Sequence, residues 1–423
     1  MKKLWILFFL LGNVAFGREV TLEEAIQASM ENSKAVKISD KQLEISKLKM
    51  NQAIKKALPS VVYSTNYQRG EYERNIYKNK SSMESEKGGY KQSITISQPI
   101  FQGGAILAGI QGAKAYKTIA DLSYVQETLN TRLKAIRTFS NIVNSKRNLQ
   151  ALEYSEKQLQ NRYKKQEAQL ELRLITKTDL LKTEYSLLEV QSLISKAKSN
   201  IEVQTEDLKF QMGVDKKEVL EVKEFIVPNH LTERITFEKD KEKALESSIQ
   251  ALIAKSQVKI AKAQETAALG NMLPKVNAFV SYGVASERTH WKQTREDAEW
   301  MGGLSVSWNV FSFGSDYDAY QIAKLEKESK ELSEMTAQDS IALSLKTAYL
   351  ELQRLEILRE SRKRGLEAAE LNFTMDQEKF DAGLLSTVDY LLSETQLREA
   401  RVNYYQAELD YYYAFEYYRS LLV

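Results

Sequence analysis

A run of 100 residues, 113–212, contains neither glycine nor proline. The whole chain of 423 residues has only 4 prolines and 17 glycines, which favours long uninterrupted elements over many short ones. Apolar side chains recur in the run at heptad spacing: Leu122, Leu129, Ile136 and Val143, with Val125 and Phe139 at the second seam position. The spacing predicts coiled-coil helices, the first from about residue 105 to 172 and about 100 Å long at roughly 1.5 Å per residue.

The first 17 residues have the order of a secretory signal peptide. Lys2 and Lys3 precede an apolar run, and the small residues Ala15 and Gly17 precede a predicted cut before Arg18. The competing interpretation is a membrane anchor, but the apolar run is much shorter than the ~20 residues that a spanning helix needs. The mature chain is therefore predicted to leave the cytoplasm, as a periplasmic, secreted or β-barrel protein.

The composition excludes several classes of function. There is no cysteine, which excludes disulfides, thiolate metal sites and cysteine nucleophiles. The two histidines, His230 and His290, have no carboxylate cluster at ligand spacing, so polar loop residues are favoured over metal ligands. The net charge of +3 comes without a local basic patch, which predicts no nucleic-acid partner. No nucleophile elbow or phosphate loop is present, so the chain is predicted to be no enzyme and to need no cofactor.

The chain contains two copies of one unit. Three landmarks of the first half recur 210 residues later: Phe101 as Phe311, Leu174 as Leu384 and Asp179 as Asp389. Farther upstream, Leu58-Pro59 matches Leu273-Pro274 at an offset of 215, and the five-residue slip is absorbed in the loop between. We predict a first repeat at 18–213, an inter-repeat linker at 214–240 and a second repeat at 241–423.

Each copy is predicted as helix, strand, loop, strand, long helix, turn and shorter helix. The first helix of copy one starts at Thr21, which has Glu24 three positions later as in a capping box, and it runs to about residue 57. Its counterpart in copy two is predicted at 241–271. In the last helix, Tyr404, Tyr411 and Tyr418 lie at heptad spacing, which indicates core packing between helices.

Four segments alternate apolar with small polar residues, as half-buried strands do. Their apolar positions are Val61, Tyr63, Thr65 and Tyr67; Tyr90, Ile94 and Ile96; Val276, Ala278, Val280, Tyr282 and Val284; and Leu304, Val306, Trp308 and Val310. Such faces suit a barrel with lipid outside and water inside, and they also suit a soluble sandwich with one buried face. Because four strands attached to very long helices cannot cover their own edges, several chains are predicted to close one barrel together.

The chain resembles the outer membrane efflux protein family, the TolC-like channels, over essentially its whole mature length. The resemblance rests on the two Leu-Pro strand entries, on the strand exit at 94–104 and on the segment 379–392. It implies a mainly α protein with a β-barrel part: a coiled-coil α-helical tunnel and four strands per chain in a twelve-stranded, trimeric outer-membrane barrel. It also implies a periplasmic adaptor, an inner-membrane pump and outer-membrane lipid as partners.

In this family, helix hairpins close the periplasmic end, and the turns at 170–179 and 380–389 match that end here. The resemblance makes gate candidates of Asp389, Asp179, Thr178 and Phe380, and adaptor-docking candidates of Arg173, Leu174, Ile175, Gly383, Leu384, Leu385 and Ser386. Gly383 permits the left-handed backbone of a tight turn, and Ser386 or Thr387 can cap the following helix.

Two interpretations of Asp389 stay open. Repeated threefold, it would form an acidic constriction that favours cations, but ordinary helix-start electrostatics explains Asp179 and Asp389 equally well. Copy one has Arg173 in place of the turn glycine, and Leu392 stands where the family has a second acid. We therefore expect no two-ring acidic gate and different turns in the two copies.

The predicted function is a passive exit duct of a tripartite efflux or type I secretion system. The cargo is small toxic molecules or exported polypeptides, and the duct opens when adaptor and pump engage. Its place is the outer membrane of a Gram-negative-type bacterium, extending into the periplasm. The alternative is a secreted or periplasmic coiled-coil structural or adhesion protein without a pore.

Overall fold

The computed structural model describes residues 18–68, 89–215, 217–286 and 298–423. The predicted signal peptide and His290 lie outside these residues. Among the described helices, none is long and apolar enough to cross a membrane. Two compact units divide the chain, one formed by 41–122 and 252–337 and the other by the segments up to residue 40, 123–251 and 338–423.

Helices make up most of the described chain. They are α1 (Leu22–Asn32), α2 (Lys34–Lys55), α3 (Ala105–Glu171), α4 (Lys177–Met212), α5 (Phe237–Ser247), α6 (Ile249–Asn271), α7 (Ser315–Asp381) and α8 (Thr387–Ser420). Both α3 and α7 have 67 residues, and their ends differ by the repeat offset of 210. The prediction for the first long helix is therefore confirmed to within one residue, and the duplication extends to helix limits.

The prediction of a single helix before each strand pair is wrong. Each of these segments forms two helices separated by one residue with an extended backbone. Ser33 (φ −55°, ψ 127°) separates α1 from α2, and Ser248 (φ −64°, ψ 151°) separates α5 from α6. The two serines lie at the same 215-residue offset as the Leu-Pro pairs. Ser248 Oγ accepts the Ala251 N–H at 3.4 Å and so caps α6. The capping box of Thr21 and Glu24 is present as predicted.

Strands form two sheets. They are β1 (Arg18–Val20), β2 (Ser60–Gln68), β3 (Gly89–Gln102), β4 (Leu220–Val222), β5 (Lys275–Ser286) and β6 (Ala298–Ser307). The four predicted strands form an antiparallel sheet in the order β2-β3-β5-β6. Because β6 ends at Ser307, Trp308 and Val310 lie beyond the strand that was predicted to include them. The parallel pair β1 and β4 was not predicted, since three residues are too few for a periodic signal.

The four-stranded sheet has one apolar and one polar face. One row of opposed residues runs across all four strands: Tyr63, Ile94, Tyr282 and Trp300. In the single chain these four side chains are between 48% and 76% exposed. On the other face, hydroxyl groups meet across strands: Ser64 Oγ and Ser93 Oγ at 2.9 Å, and Thr95 Oγ1 and Ser281 Oγ at 3.0 Å. The predicted alternation is confirmed, and an apolar surface is left uncovered.

The predicted helical seams are buried along only part of their length. Ile136, Phe139 and Val143 are fully buried, whereas Val125 is exposed. Tyr411 and Tyr418 are also fully buried, which confirms their core position, and Tyr404 is half-buried. A residue of the predicted linker segment packs against this core, because the Phe225 ring lies 6.0 Å from the Phe139 ring and 5.2 Å from the Tyr412 ring between centroids.

Candidate functional site

The two helix turns share one backbone conformation. Gly383, two residues beyond the end of α7, has φ +75°, and Arg173, two residues beyond the end of α3, has φ +58°. In each turn the next residue, Leu384 or Leu174, donates its N–H at 2.8 Å to the carbonyl five residues earlier. The expectation that Arg173 marks a different turn is wrong for the backbone. A side chain at this left-handed position costs on the order of 1 kcal/mol, which copy one tolerates and copy two avoids.

Both candidate gate acids belong to helix caps. Thr176 Oγ1 donates to Asp179 Oδ2 at 2.6 Å and accepts the Asp179 N–H at 3.3 Å at the start of α4. At the start of α8, Ser386 Oγ donates to Asp389 Oδ2 at 2.7 Å and accepts the Asp389 N–H at 3.2 Å. Thr176 was missed, although its spacing of three from an acid is a capping signal. Each acid therefore has a local role that needs no pore.

Arg162 joins copy one to the turn of copy two. Its side chain, 9% exposed, extends from α3, and Nη1 donates to Asp381 Oδ1 at 3.0 Å. The guanidinium lies over two aromatic rings, 4.2 Å from the Phe380 centroid and 4.6 Å from that of Tyr390. The two rings stack with their centroids 4.9 Å apart, and burial raises the pKa of the Tyr390 hydroxyl. The cluster ties the end of α7 and the start of α8 to α3.

Two further contacts reinforce this tie. The Ser155 hydroxyl on α3 donates to the buried carboxylate of Glu394 on α8. Nearer the turn, Gln166 Nε2 donates to Thr387 Oγ1 at 3.4 Å. None of these α3 residues was predicted, because a lone arginine, serine or glutamine in a charged helix carries no sequence signal of burial. At the position that corresponds to Arg162, copy two has Asn372, so the ion pair is not repeated.

The turn tips present apolar side chains. Leu174 and Leu384 are largely exposed, at 69% and 78%. The following residues, Ile175 and Leu385, are half-buried, and Thr178 is exposed. The turn of copy two thus brings Phe380, Gly383, Leu384, Leu385, Ser386 and Asp389 together, and the turn of copy one groups Arg173, Leu174, Ile175, Thr178 and Asp179 in the same way.

The fold is similar to that of solved membrane proteins. CmeC of Campylobacter jejuni, an outer membrane channel, matches with 15% identity and a TM-score of 0.81, over 95% of this chain and 85% of that one. VceC, an outer membrane protein of Vibrio cholerae, has 11% identity and a TM-score of 0.81, with 95% of each chain covered. A membrane protein from Pseudomonas aeruginosa has 11% identity and a TM-score of 0.84, over 96% and 91%. The predicted TolC-like fold class, mainly α with four strands per chain, is confirmed.

The sequence comparison with curated proteins gives no match. The model of the outer membrane efflux protein family, however, matches residues 25–214 and 242–422, which include most of both copies. This is a family of efflux proteins and channels, so the prediction that the chain is not an enzyme is confirmed. The chain belongs to the outer membrane efflux protein family.

Proposed function

We propose that this chain is the outer-membrane exit duct of a tripartite efflux or type I secretion system. The observation that carries the proposal is the four-stranded sheet, which exposes its apolar face. Among the described strands, none pairs with the outer edge of β2 or of β6. Unpaired backbone groups are too costly in lipid, so the edges of neighbouring copies must pair. Three copies supply the twelve strands that the family resemblance implies.

An apolar stripe on α7 supports association of the copies. Leu343, Leu350 and Ile357 lie at heptad spacing and are 69%, 49% and 74% exposed. Side chains repeating every seven residues on one helix form the seam of a coiled coil, which needs a partner helix. An exposed seam of this kind is unfavourable in a monomer, and a homotrimer would cover it.

The proposal also assigns the segments of the chain. Residues 1–17 direct export and are removed, and the repeats at 18–213 and 241–423 are joined by a linker at 214–240. The family match omits 215–241, which supports this linker. In a Gram-negative-type bacterium the sheet would lie in outer-membrane lipid and the long helices in the periplasm.

The helix turns are the proposed periplasmic end. Exposed Leu174 and Leu384 suit apolar docking of a periplasmic adaptor, which in turn links to an inner-membrane pump. Asp179 and Asp389 would then face the aperture, with Thr178 and Phe380 beside them. The Arg162 cluster restrains one turn of each chain, so opening requires the guanidinium to leave Phe380 and Asp381.

Fractionation and conductance test this function. We expect the mature protein in detergent extracts of outer membrane, with the mass of three chains, and ion conductance when it is inserted into planar lipid bilayers. Recovery as a soluble periplasmic protein without conductance would instead support the coiled-coil scaffold without a pore.

A matched pair of variants tests which face of the sheet meets lipid. Tyr282→Lys places a charge on the apolar face, and Ser281→Lys places the same charge on the polar face of the same strand. A lysine facing the middle of the bilayer costs about 2–4 kcal/mol, so Tyr282→Lys should sharply reduce the amount of membrane-inserted trimer. Ser281→Lys should insert normally and change ion selectivity. Equal insertion of both variants contradicts the proposed orientation.

A further inference from the structure

We infer that β6 of one copy pairs with β2 of the next in a defined antiparallel register, with Ser305 opposite Asn66 and Ser307 opposite Ser64. This inference rests on the proposed trimer and adds which residues meet at the interface. The internal duplication supplies the register, because β3, the second strand of copy one, already pairs with β5, the first strand of copy two, inside the chain.

The two hairpins show that the copies are equivalent at the level of single residues. In copy one, Val61 lies opposite Ile96, and in copy two Val276 lies opposite Val306. The first strands therefore correspond at an offset of 215 and the second strands at 210, the same offsets as in the sequence. Every pair along one hairpin maps onto a pair of the other.

A side-chain contact beneath the hairpins repeats as well. Gln98 Nε2 donates to the carbonyl of Ala57 at 2.9 Å in copy one. At the corresponding positions of copy two, Trp308 Nε1 donates to the carbonyl of Met272 at 3.0 Å. Two chemically different side chains thus make the same hydrogen bond, which indicates that equivalence comes from geometry rather than from residue identity.

The junction inside the chain gives the register of the junction between chains. Here the second strand of copy one, β3, pairs with the first strand of copy two, β5, and Thr95 lies opposite Ser281. In a closed ring of copies, β6 must pair in the same way with β2 of the next chain. With the offset of 210 between second strands, Ser305 corresponds to Thr95. With the offset of 215 between first strands, Asn66 corresponds to Ser281.

The inferred register between β6 and β2 places residues of the apolar faces opposite each other and residues of the polar faces opposite each other. On the apolar face it places Val306 opposite Thr65 and Leu304 opposite Tyr67. On the polar face, Ser305 meets Asn66, which gives a hydrogen-bonding pair where Thr95 and Ser281 stand inside the chain. A slip of one residue would bring the apolar face of β6 beside the polar face of β2.

The junction inside the chain and the junction between chains stop being equivalent where the strands join the helices. A Cβ atom on Gly103 would lie 2.1 Å from the Gly270 carbonyl oxygen, so this contact inside the chain requires glycine. The corresponding residues between chains are Phe313, at φ +51° and 92% exposed, and Lys55. The helix junction between chains must therefore be wider, and the inferred register applies to the strands alone.

Disulfide trapping tests the register, since the chain has no cysteine of its own. The variant Ser305→Cys/Asn66→Cys should form covalent dimers and trimers on mild oxidation, seen on a non-reducing denaturing gel. Thr95→Cys/Ser281→Cys is the matched control and should close within one chain. In Ser305→Cys/Val62→Cys the second cysteine is four residues out of register, about 13 Å along β2, and should remain unlinked.

The results of disulfide trapping distinguish failure of the inferred register from failure of the proposed trimer. Trimers are first measured by native mass in detergent under reducing conditions for every variant. If trimers persist but Ser305→Cys links to cysteine at Ser64 or Val62 faster than at Asn66, the register is overturned. If the parent chain forms no trimer, the proposed function fails instead. Co-expressing the single variants Ser305→Cys and Asn66→Cys, which should give only covalent heterodimers, covers the case in which the double variant fails to fold.

Discussion

Arg162 and Asp381 form an ion pair of 3.0 Å that joins the first long helix to the end of the second. Arg162 is buried, whereas Asp381 is 44% exposed, so the guanidinium depends on this carboxylate and on two rings for its stabilisation. Arginine suits this site because its planar group stacks on aromatic faces while it donates hydrogen bonds. The pair therefore sets how firmly the turn of copy two is held.

Removing the guanidinium should loosen that turn. Arg162→Ala loses the ion pair and the ring contacts, together worth roughly 1–3 kcal/mol after allowance for the exposure of Asp381. Because about 1–3 kcal/mol corresponds to roughly a 5–150-fold shift of an equilibrium between two states, we expect the mean conductance in planar bilayers to rise at least about fivefold. Arg162→Lys keeps the charge without the planar stack and should lie between. If Arg162→Ala has the same mean conductance as the parent protein, the Arg162 contacts do not hold the channel closed.

The acidic constriction can be separated from helix capping. Asp389→Asn removes the charge but retains an oxygen that accepts the Ser386 hydroxyl, so α8 should stay capped. If the three Asp389 carboxylates line the aperture, this variant should reduce cation selectivity, measured as reversal potential in a salt gradient. Asp179→Asn is the matched change in copy one. Unchanged selectivity in both variants would leave only the capping role.

The long elements were predictable, and their interruptions were not. The limits of α3 and α7 follow from runs with little glycine or proline between Gly104 and Arg173 and between Gly314 and Gly383. The breaks at Ser33 and Ser248 were missed because serine carries no strong stop signal and each break involves one extended residue. Residue type therefore indicates where a helix can continue, and tertiary packing decides where it bends.

The same limit applies to the candidate site. Gly383, Ser386 and Asp389 were found because turns and caps depend on neighbours a few residues away. Arg162 could not be found, because its partner Asp381 is 219 residues distant and nothing local distinguishes this arginine from the exposed ones. Contacts between the copies require the fold before they can be recognised.

The two turns should respond in opposite directions to substitution at the left-handed residue. Gly383→Ala adds a Cβ that meets no atom within 4 Å, so its cost is the backbone strain alone, about 1 kcal/mol. Arg173→Gly relieves the same strain, but glycine also gains conformational freedom in the unfolded chain, which offsets part of that gain. The variant should therefore be as stable as the parent protein or slightly more stable. Hydrogen exchange of 380–389 should accelerate about fivefold in the first variant, while exchange of 170–179 should not accelerate in the second. Faster exchange in both would show that the Arg173 side chain stabilises its turn.

The position of the proposed linker, 214–240, should depend on one hydroxyl group. Tyr411 Oη accepts the N–H of Leu231 at 2.9 Å and of Thr232 at 3.3 Å, and it donates to Glu356 Oε1 at 3.0 Å. Tyr411→Phe leaves the buried Leu231 N–H without its acceptor, which costs about 1–3 kcal/mol. We expect a lower thermal midpoint at a fixed scan rate and faster proteolysis within 214–240. Tyr417→Phe, a partly exposed position on the same helix, is the control and should match the parent protein. If Tyr411→Phe also matches the parent, the hydroxyl does not anchor the linker, and apolar packing of the ring alone holds it in place.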